Sequence, residues 1–132
     1  EAPDQHRATL DAIRDSGGRA GLALDPETPI DSLLPFRDQL DFALVMTVKS
    51  GFGGQAYRPE AARRIAAIRS LIGDRDGRPL PLHVDGGINS TTAGDAAVAG
   101  ASLLVVGSAL FSAQGATRMG GAIRAIREAA TL

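Results

Sequence analysis

The chain contains no cysteine. That absence excludes a disulfide framework and thiolate metal ligands, and it is compatible with a cytoplasmic setting. An excess of one charge is also missing: fourteen Lys and Arg against fifteen Asp and Glu leave a formal net charge of -1. No global field therefore gathers nucleic acid or an anionic membrane surface, neither is expected as a partner, and any anion must be held by a local site. Long apolar runs are absent as well. The longest, around residues 103–111, contains Gly107 and Ser108 and falls far short of the roughly 18 residues that suggest a membrane span. The chain opens at Glu1 with no methionine and no charged-then-apolar leader, so neither a natural start nor a signal peptide is visible and the start reads as a cut. What is present is 132 residues, 44% hydrophobic and 22% charged, the make-up of an ordinary globular protein with enough chain for one domain and a real core.

Hydrophobic periodicity orders the elements. Residues 4–16 place Leu10 and Ile13 on one helical face, and Gly17-Gly18 supplies a stop. Residues 20–24 form a short, nearly continuous apolar run, broken by Asp25-Pro26-Glu27-Thr28-Pro29 before a short helix near residues 30–34. A second apolar run spans residues 42–48. After the glycine-rich stretch 51–54, Pro59 suits a first helical position, and Ala61, Ile65, Ile68 and Ile72 recur at helical spacing. A polar loop over residues 73–78 leads to a third strand at 80–84, which ends in Asp85-Gly86-Gly87. Asn89 or Ser90 is placed to cap a helix running to about residue 99, Gly100 ends it, and residues 103–106 form a fourth strand. A final helix covers about residues 117–130. Strands apolar on both faces and separated by helices imply a parallel sheet with right-handed crossovers. The four βα units are half of what a (β/α)8 barrel of roughly 250 residues requires, and a doubly wound open sheet also fits the pattern.

In parallel α/β folds the active site lies at the C-terminal ends of the strands. Three of the four ends here carry glycine-rich turns: Gly51-Phe52-Gly53-Gly54 after Lys49-Ser50, then Gly86-Gly87 after Asp85, and Gly107-Ser108. Glycine lets backbone N–H groups converge on phosphate oxygens with no side chain in the way. One such turn alone is as readily a plain tight turn as a ligand site, but recurrence at successive strand ends favours a shared anion site, because barrels often bind phosphate at the loops after their last two strands. Gly51-Phe52-Gly53-Gly54-Gln55-Ala56 also matches a dinucleotide fingerprint. The match is weak: Tyr57 and Arg58 separate the glycines from a helix that Pro59 places too late, and Asp85 lies beyond the ribose-binding distance of about 20 residues.

Asp85 is the best candidate for chemistry, as base, acid or metal ligand, since two glycines following it present its carboxylate to whatever they hold. The alternative is an Asx turn to the following backbone. His83 shares its strand face, but a His and an Asp are too few for a metal, and zinc normally takes three or four protein ligands. His83 reads as a barrel-interior or helix-facing residue, His6 as solvated, Met46 as core, and the arginines at 63, 64, 69, 124 and 127 as solvated helix faces.

The motifs Gly21-Leu22-Ala23-Leu24-Asp25-Pro26-Glu27-Thr28-Pro29-Ile30, Val45-Met46-Thr47-Val48, Gly51-Phe52-Gly53-Gly54-Gln55, Val84-Asp85-Gly86-Gly87-Ile88-Asn89 and Gly107-Ser108-Ala109-Leu110-Phe111 occur in this order. Through them nearly the whole chain resembles the ribulose-phosphate 3-epimerases. The resemblance implies a single partial domain over residues 1–132, the C-terminal half of a (β/α)8 barrel, with its four strands matching the family's fifth to eighth and Glu1 just beyond the fourth. It implies an isomerase of the pentose phosphate pathway that inverts C3 of D-ribulose 5-phosphate to give D-xylulose 5-phosphate. A divalent metal is implied as cofactor, zinc first, with iron, manganese or cobalt as alternatives. Asp85 matches the aspartate that binds metal and serves as one of two acid/base groups. Gly51, Phe52, Gly53, Gly54, Gly86, Gly87, Gly107 and Ser108 match substrate and phosphate contacts, and Met46 matches a methionine lining the reacting sugar. A sugar phosphate is the expected small-molecule partner, a homo-oligomer the expected assembly and the cytoplasm the expected location.

Two departures qualify the resemblance. The pair before the glycine loop is commonly Asn-Pro or Glu-Pro in the family and is Lys49-Ser50 here, which leaves open a related substrate such as allulose 6-phosphate. The family's second aspartate, its first-strand serine and its two metal-binding histidines lie on strands this chain lacks. Inversion at carbon needs acid/base groups on both faces of a planar intermediate, so the isolated chain is expected to be inactive or nearly so. A non-catalytic phosphate-binding half-barrel, dimerising to cover its open sheet edges, is the competing reading.

Overall fold

A computed structural model describes residues 3–51, 53–112 and 116–131. The first helix, α1 (Pro3–Asp15), buries Leu10. It stops where the Gly18 N–H donates to Ile13 O at 3.0 Å and the Gly17 N–H to Arg14 O at 2.9 Å. That is a Schellman closure, with Gly17 at φ +83° as the left-handed residue it requires. Ile13, expected beside Leu10 on the core face, is instead 36% exposed.

Strand β1 (Gly21–Leu24) leads into a 3-10 helix, Ile30–Gln39, five residues longer than the sequence suggested. Pro35 inside it has no N–H to give, while Leu33 and Phe36 anchor it in the core. After β2 (Phe42–Met46), α2 (Ala61–Ile72) buries the expected stripe of Ala61, Ile65, Ile68 and Ile72.

The expected polar loop over 73–78 contains a small antiparallel ribbon, β3 (Asp74–Arg75) with β4 (Arg78–Pro79). Asp76 and Gly77 both have positive φ, 53° and 74°, as a two-residue hairpin turn of mirror-image type requires. The Asp-Gly pair carried this signal, but its polar flanks hid it. Strand β5 (Leu82–Asp85) starts two residues later than expected, because Leu80 is tied to the end of α2 through Gly73 O and Pro81 brings no N–H. The next helix, α3 (Ala93–Val98), also starts late. The turn that leads into it is capped by Asn89, as the sequence suggested: its Oδ1 accepts the Thr91 N–H at 2.8 Å and its carbonyl accepts the Ala93 N–H at 3.0 Å. Strand β6 (Leu103–Val105) is followed by a four-residue helix that the sequence did not suggest, α4 (Ser108–Phe111), and then by α5 (Ala116–Ala130).

The four long strands form one parallel sheet in the order β1-β2-β5-β6. Leu24, Ala43, Val45, Leu82 and Val84 point to one face, where they join Leu10, Ile65, Ile68, Ile72, Ala93, Ala96 and Ile126 from the helices in a single core. The alternate residues, Phe42, Leu44, Met46, His83, Asp85, Leu103 and Val105, stand on the other face, and none belongs to that core. Leu103 and Val105 are 44% and 38% exposed. The expectation that both faces are buried therefore holds for one face only. A doubly wound sheet carries helices on both faces, whereas helices on a single face make an arc of a barrel wall. Among the described residues no helix is long and apolar enough to cross a membrane.

Candidate active site

Met46, Asp85 and Val105 are paired side by side across β2, β5 and β6, at the C-terminal end of the sheet and on its bare face. Above them the loops converge. A cavity of about 290 Å³ is lined by Met46, Asp85 and the glycines 51, 53, 54, 86, 87 and 107, together with Ser108. The structure thus brings together every residue the sequence proposed for the site except Phe52, which lies outside the described residues. Sequence reasoning did not place Val48, Gln55, Ile88 or Val105 in this wall, and it treated Lys49 and Ser50 only as a departure. Apolar strand-end residues carry no signal of their own that distinguishes a cavity wall from core.

The Asp85 carboxylate is half-buried, and no donor among the described residues reaches it. The Asx turn weighed for it occurs at Asn89 instead. Lys49 is the one cation among the described lining residues, and no acidic group among the described residues pairs with it. Its loop is tied on two sides: Gln55 Nε2 donates to Lys49 O at 2.7 Å, and Ser50 Oγ donates to Asp25 Oδ2 at 3.1 Å.

Four of the six lining glycines fall into two contrasting pairs. At Gly107 and Gly53 a Cβ would meet nothing within 4 Å, so these positions leave the cavity open. At Gly86 and Gly87, with φ +118° and +65°, a Cβ would sit 2.6 Å from Val48 Cγ2 and 2.4 Å from Tyr57 N. These two are glycine because the β2–α2 loop presses on them, a reason separate from ligand approach. Gly86 is buried, yet its N–H and that of Gly87 donate to no group among the described residues. Amides at the edge of an open cavity are placed to donate to a group that enters it.

His83 lies on the bare face, stacked on Phe42 with ring centroids 4.6 Å apart. Burial, with a contribution from Arg19, lowers its pKa and favours the neutral ring. It is not part of the cavity lining. His6, expected to be solvated, is half-buried and meets the edge of Phe36 at 5.7 Å. Met46 is half-buried in the cavity wall rather than in the core. Two of the supposed surface arginines are structural. Arg64 donates to Asp25 O at 2.8 Å and also bonds Thr28 O, while Arg69 donates to Leu80 O at 2.6 Å. Both tie α2 to loops, a role that helical periodicity cannot reveal.

Asp85 is the only carboxylate in the lining, and no group of three His, Cys, Asp or Glu able to hold a metal exists among the described residues. One carboxylate is one ligand, and a bound zinc takes three or four from protein. The residues present therefore do not by themselves fit a metal ion.

A family model described as the ribulose-phosphate 3 epimerase family matches residues 1–111. Among curated proteins, ribulose-phosphate 3-epimerase 2 of Cupriavidus necator is 42% identical over 129 residues, covering 94% of this chain and 53% of that protein. Ribulose-phosphate 3-epimerase of Escherichia coli K12 is 40% identical over 111 residues, covering 84% and 49%, and that of Bacillus subtilis is 38% identical over 109 residues, covering 83% and 50%. The chain spans about half the length of the curated relatives it matches. Of solved structures, Mycobacterium tuberculosis tryptophan synthase superposes with a TM-score of 0.73 at 20% identity, over 100% of this chain and 49% of that one. A mutant tryptophan synthase alpha-subunit from Pyrococcus furiosus gives 0.69 at 16%, over 98% and 51%. At such identities the likeness concerns the fold alone, a partial (β/α) barrel.

Proposed function

Because the chain belongs to the ribulose-phosphate 3-epimerase family, we propose that it forms the C-terminal four βα units of a barrel whose complete form interconverts D-ribulose 5-phosphate and D-xylulose 5-phosphate. The observation that carries this reading is the convergence of Asp85 and all three glycine loops on one cavity at the C-terminal end of the sheet. The phosphate would be received by the amides of Gly86, Gly87, Gly107 and Ser108, neutral donors that need no distant partner. Met46 and Val105 flank Asp85 and give the sugar an apolar floor. From there the Asp85 carboxylate reaches one face of the carbon next to the ketose carbonyl, and removes or returns its proton.

One carboxylate can return a proton only to the face it came from. Net inversion requires a second acid/base group on the opposite face, which the described residues lining this cavity do not offer. The 132-residue chain is therefore a phosphate-binding half-site, and the complete enzyme, which we place in the cytoplasm as a homo-oligomer, is the catalyst. Lys49 and Ser50 line the cavity, so allulose 6-phosphate is the second ketose to assay.

Two measurements test the reading. Titration of the purified chain with inorganic phosphate, followed by amide NMR, should shift Gly86, Gly87, Gly107 and Ser108 together. Shifts confined to arginine-bearing helix faces would mean ordinary surface binding and end the proposal of a shared site. An assay of xylulose 5-phosphate formation, with and without added Zn²⁺, Mn²⁺ or Fe²⁺, should show negligible turnover by the chain and robust turnover by the complete protein. Robust turnover by the chain would overturn the account of a missing acid/base group, and none by the complete protein would favour a non-catalytic phosphate binder.

A further inference from the structure

Thr47 is the only buried polar or charged residue among those described, with 2% of its surface accessible. It follows Met46 at the end of β2, so its side chain turns away from the cavity, to the helix-covered face. Its hydroxyl bridges two consecutive carbonyls of the neighbouring strand's turn, lying 2.9 Å from Asp85 O and closer still to Gly86 O. Its own N–H donates to Asp85 O at 2.8 Å. No other donor among the described residues reaches Gly86 O.

The consequence follows from peptide geometry. Among the described residues there are no cis peptide bonds, and in a trans peptide the C=O and the next N–H point in opposite directions. Holding Asp85 O on Thr47 therefore aims the Gly86 N–H away from Thr47, and holding Gly86 O does the same for the Gly87 N–H. Both glycines line the cavity, and neither amide has a partner among the described residues. A peptide unit between two glycines flips at little steric cost, since both residues tolerate either sign of φ. Something outside the turn must hold it. We propose that Thr47 is a positioning residue that, without touching the ligand, fixes the orientation of the Gly86 and Gly87 amides toward a phosphate group. The proposal rests on the reading of the cavity as a phosphate site.

The test uses the chain with inorganic phosphate as probe, amide NMR as readout and thermal melting as control. Thr47→Val keeps the shape of the side chain and removes the hydroxyl. It should weaken phosphate binding roughly 10-fold, the loss expected for one hydrogen bond to a charged group, and abolish the phosphate-induced shift of Gly87, whose preceding carbonyl loses the hydroxyl, while those of Gly86, still oriented through the Thr47 N–H, and of Gly107 and Ser108 persist. Thr47→Ser, which restores the hydroxyl without the methyl, should bind within about twofold of the parent. A merely structural Thr47 would instead lower the melting temperature of Thr47→Val and leave phosphate affinity and the glycine shifts unchanged, which overturns the inference. Should Thr47→Val fail to fold, Thr47→Ser against Thr47→Ala isolates the hydroxyl, and equal affinities of those two also overturn it. If the parent chain itself shows no phosphate response at Gly86, Gly87, Gly107 and Ser108, the proposed function fails, independently of Thr47.

Discussion

Alanine at Gly87 and alanine at Gly107 add the same methyl group to the same cavity wall, and the structure assigns them opposite consequences. At Gly87 the residue sits at φ +65°, and its new Cβ would lie 2.4 Å from Tyr57 N and 2.8 Å from Tyr57 Cα. The neighbour is backbone and cannot rotate aside. A non-glycine residue in the left-handed region costs about 1–3 kcal/mol, and overpacking against a fixed neighbour about 1–3 kcal/mol more. Either figure is a large part of the roughly 5–15 kcal/mol that stabilises a typical domain. At about 4 °C per kcal/mol for a chain of this size, the melting temperature of Gly87→Ala should fall by roughly 10–20 °C. At Gly107 the added Cβ meets nothing within 4 Å, so stability should stay within about 0.5 kcal/mol. On the phosphate site proposed above, its methyl would project into the open cavity next to the Ser108 amide and crowd the bound anion. Losing one hydrogen bond to a charged group, about 1.5–3 kcal/mol, should weaken phosphate binding roughly 10- to 100-fold. Thermal denaturation followed by circular dichroism, with phosphate titration by NMR on each variant, separates the two effects. Equal destabilisation by both substitutions, or unchanged phosphate affinity in Gly107→Ala, would refute the division of these glycines into packing and ligand positions.

Asp85→Asn in the complete protein should leave phosphate binding largely intact and lower epimerisation by at least roughly 100-fold; exchange of the C3 proton with deuterated solvent should survive better than inversion, and near-normal inversion would reduce Asp85 to a turn residue. Arg64→Met should destabilise the chain by roughly 1–3 kcal/mol, because Asp25 O and Thr28 O lose a charged donor, while Arg63→Met on the exposed side of α2 should melt like the parent. Asp41 is held below the ordinary carboxylate range chiefly by the Ala20 N–H, which donates to Oδ2 at 2.8 Å, and by Arg75, against an opposing effect of burial. A depressed folded pKa contributes stability that is complete above about pH 4 and is lost as pH falls through the folded value. Asp41→Asn should therefore show a shallower loss of stability than the parent over that acidic range, and parallel pH profiles would count against the assignment.

How far the sequence reaches differs between elements. Apolar spacing alone located α2 and its buried stripe, and the short apolar runs located all four strands of the parallel sheet, because burial on the helix-covered face leaves a periodic trace. Glycines at three strand ends pointed to one site, since the C-terminal ends of parallel strands share one edge of the sheet. The family was legible from motif order alone. Other features were fixed only in three dimensions. Runs such as Phe42–Met46 are apolar throughout, so they do not reveal that one sheet face is bare; that depends on where the helices go. Arg64 and Arg69 look like surface charge because their carbonyl partners lie in other loops. The positive φ of Gly86 and Gly87 answers to Val48 and Tyr57, brought from across the sheet. Thr47 reads as one polar residue at a strand end, and its hydroxyl acquires meaning only because parallel register sets it beside Asp85 O and Gly86 O, 38 and 39 residues away along the chain. Local pattern located the strands of the parallel sheet and the long helices. The direction in which an amide points is decided by what its carbonyl meets, and that is a property of the tertiary structure.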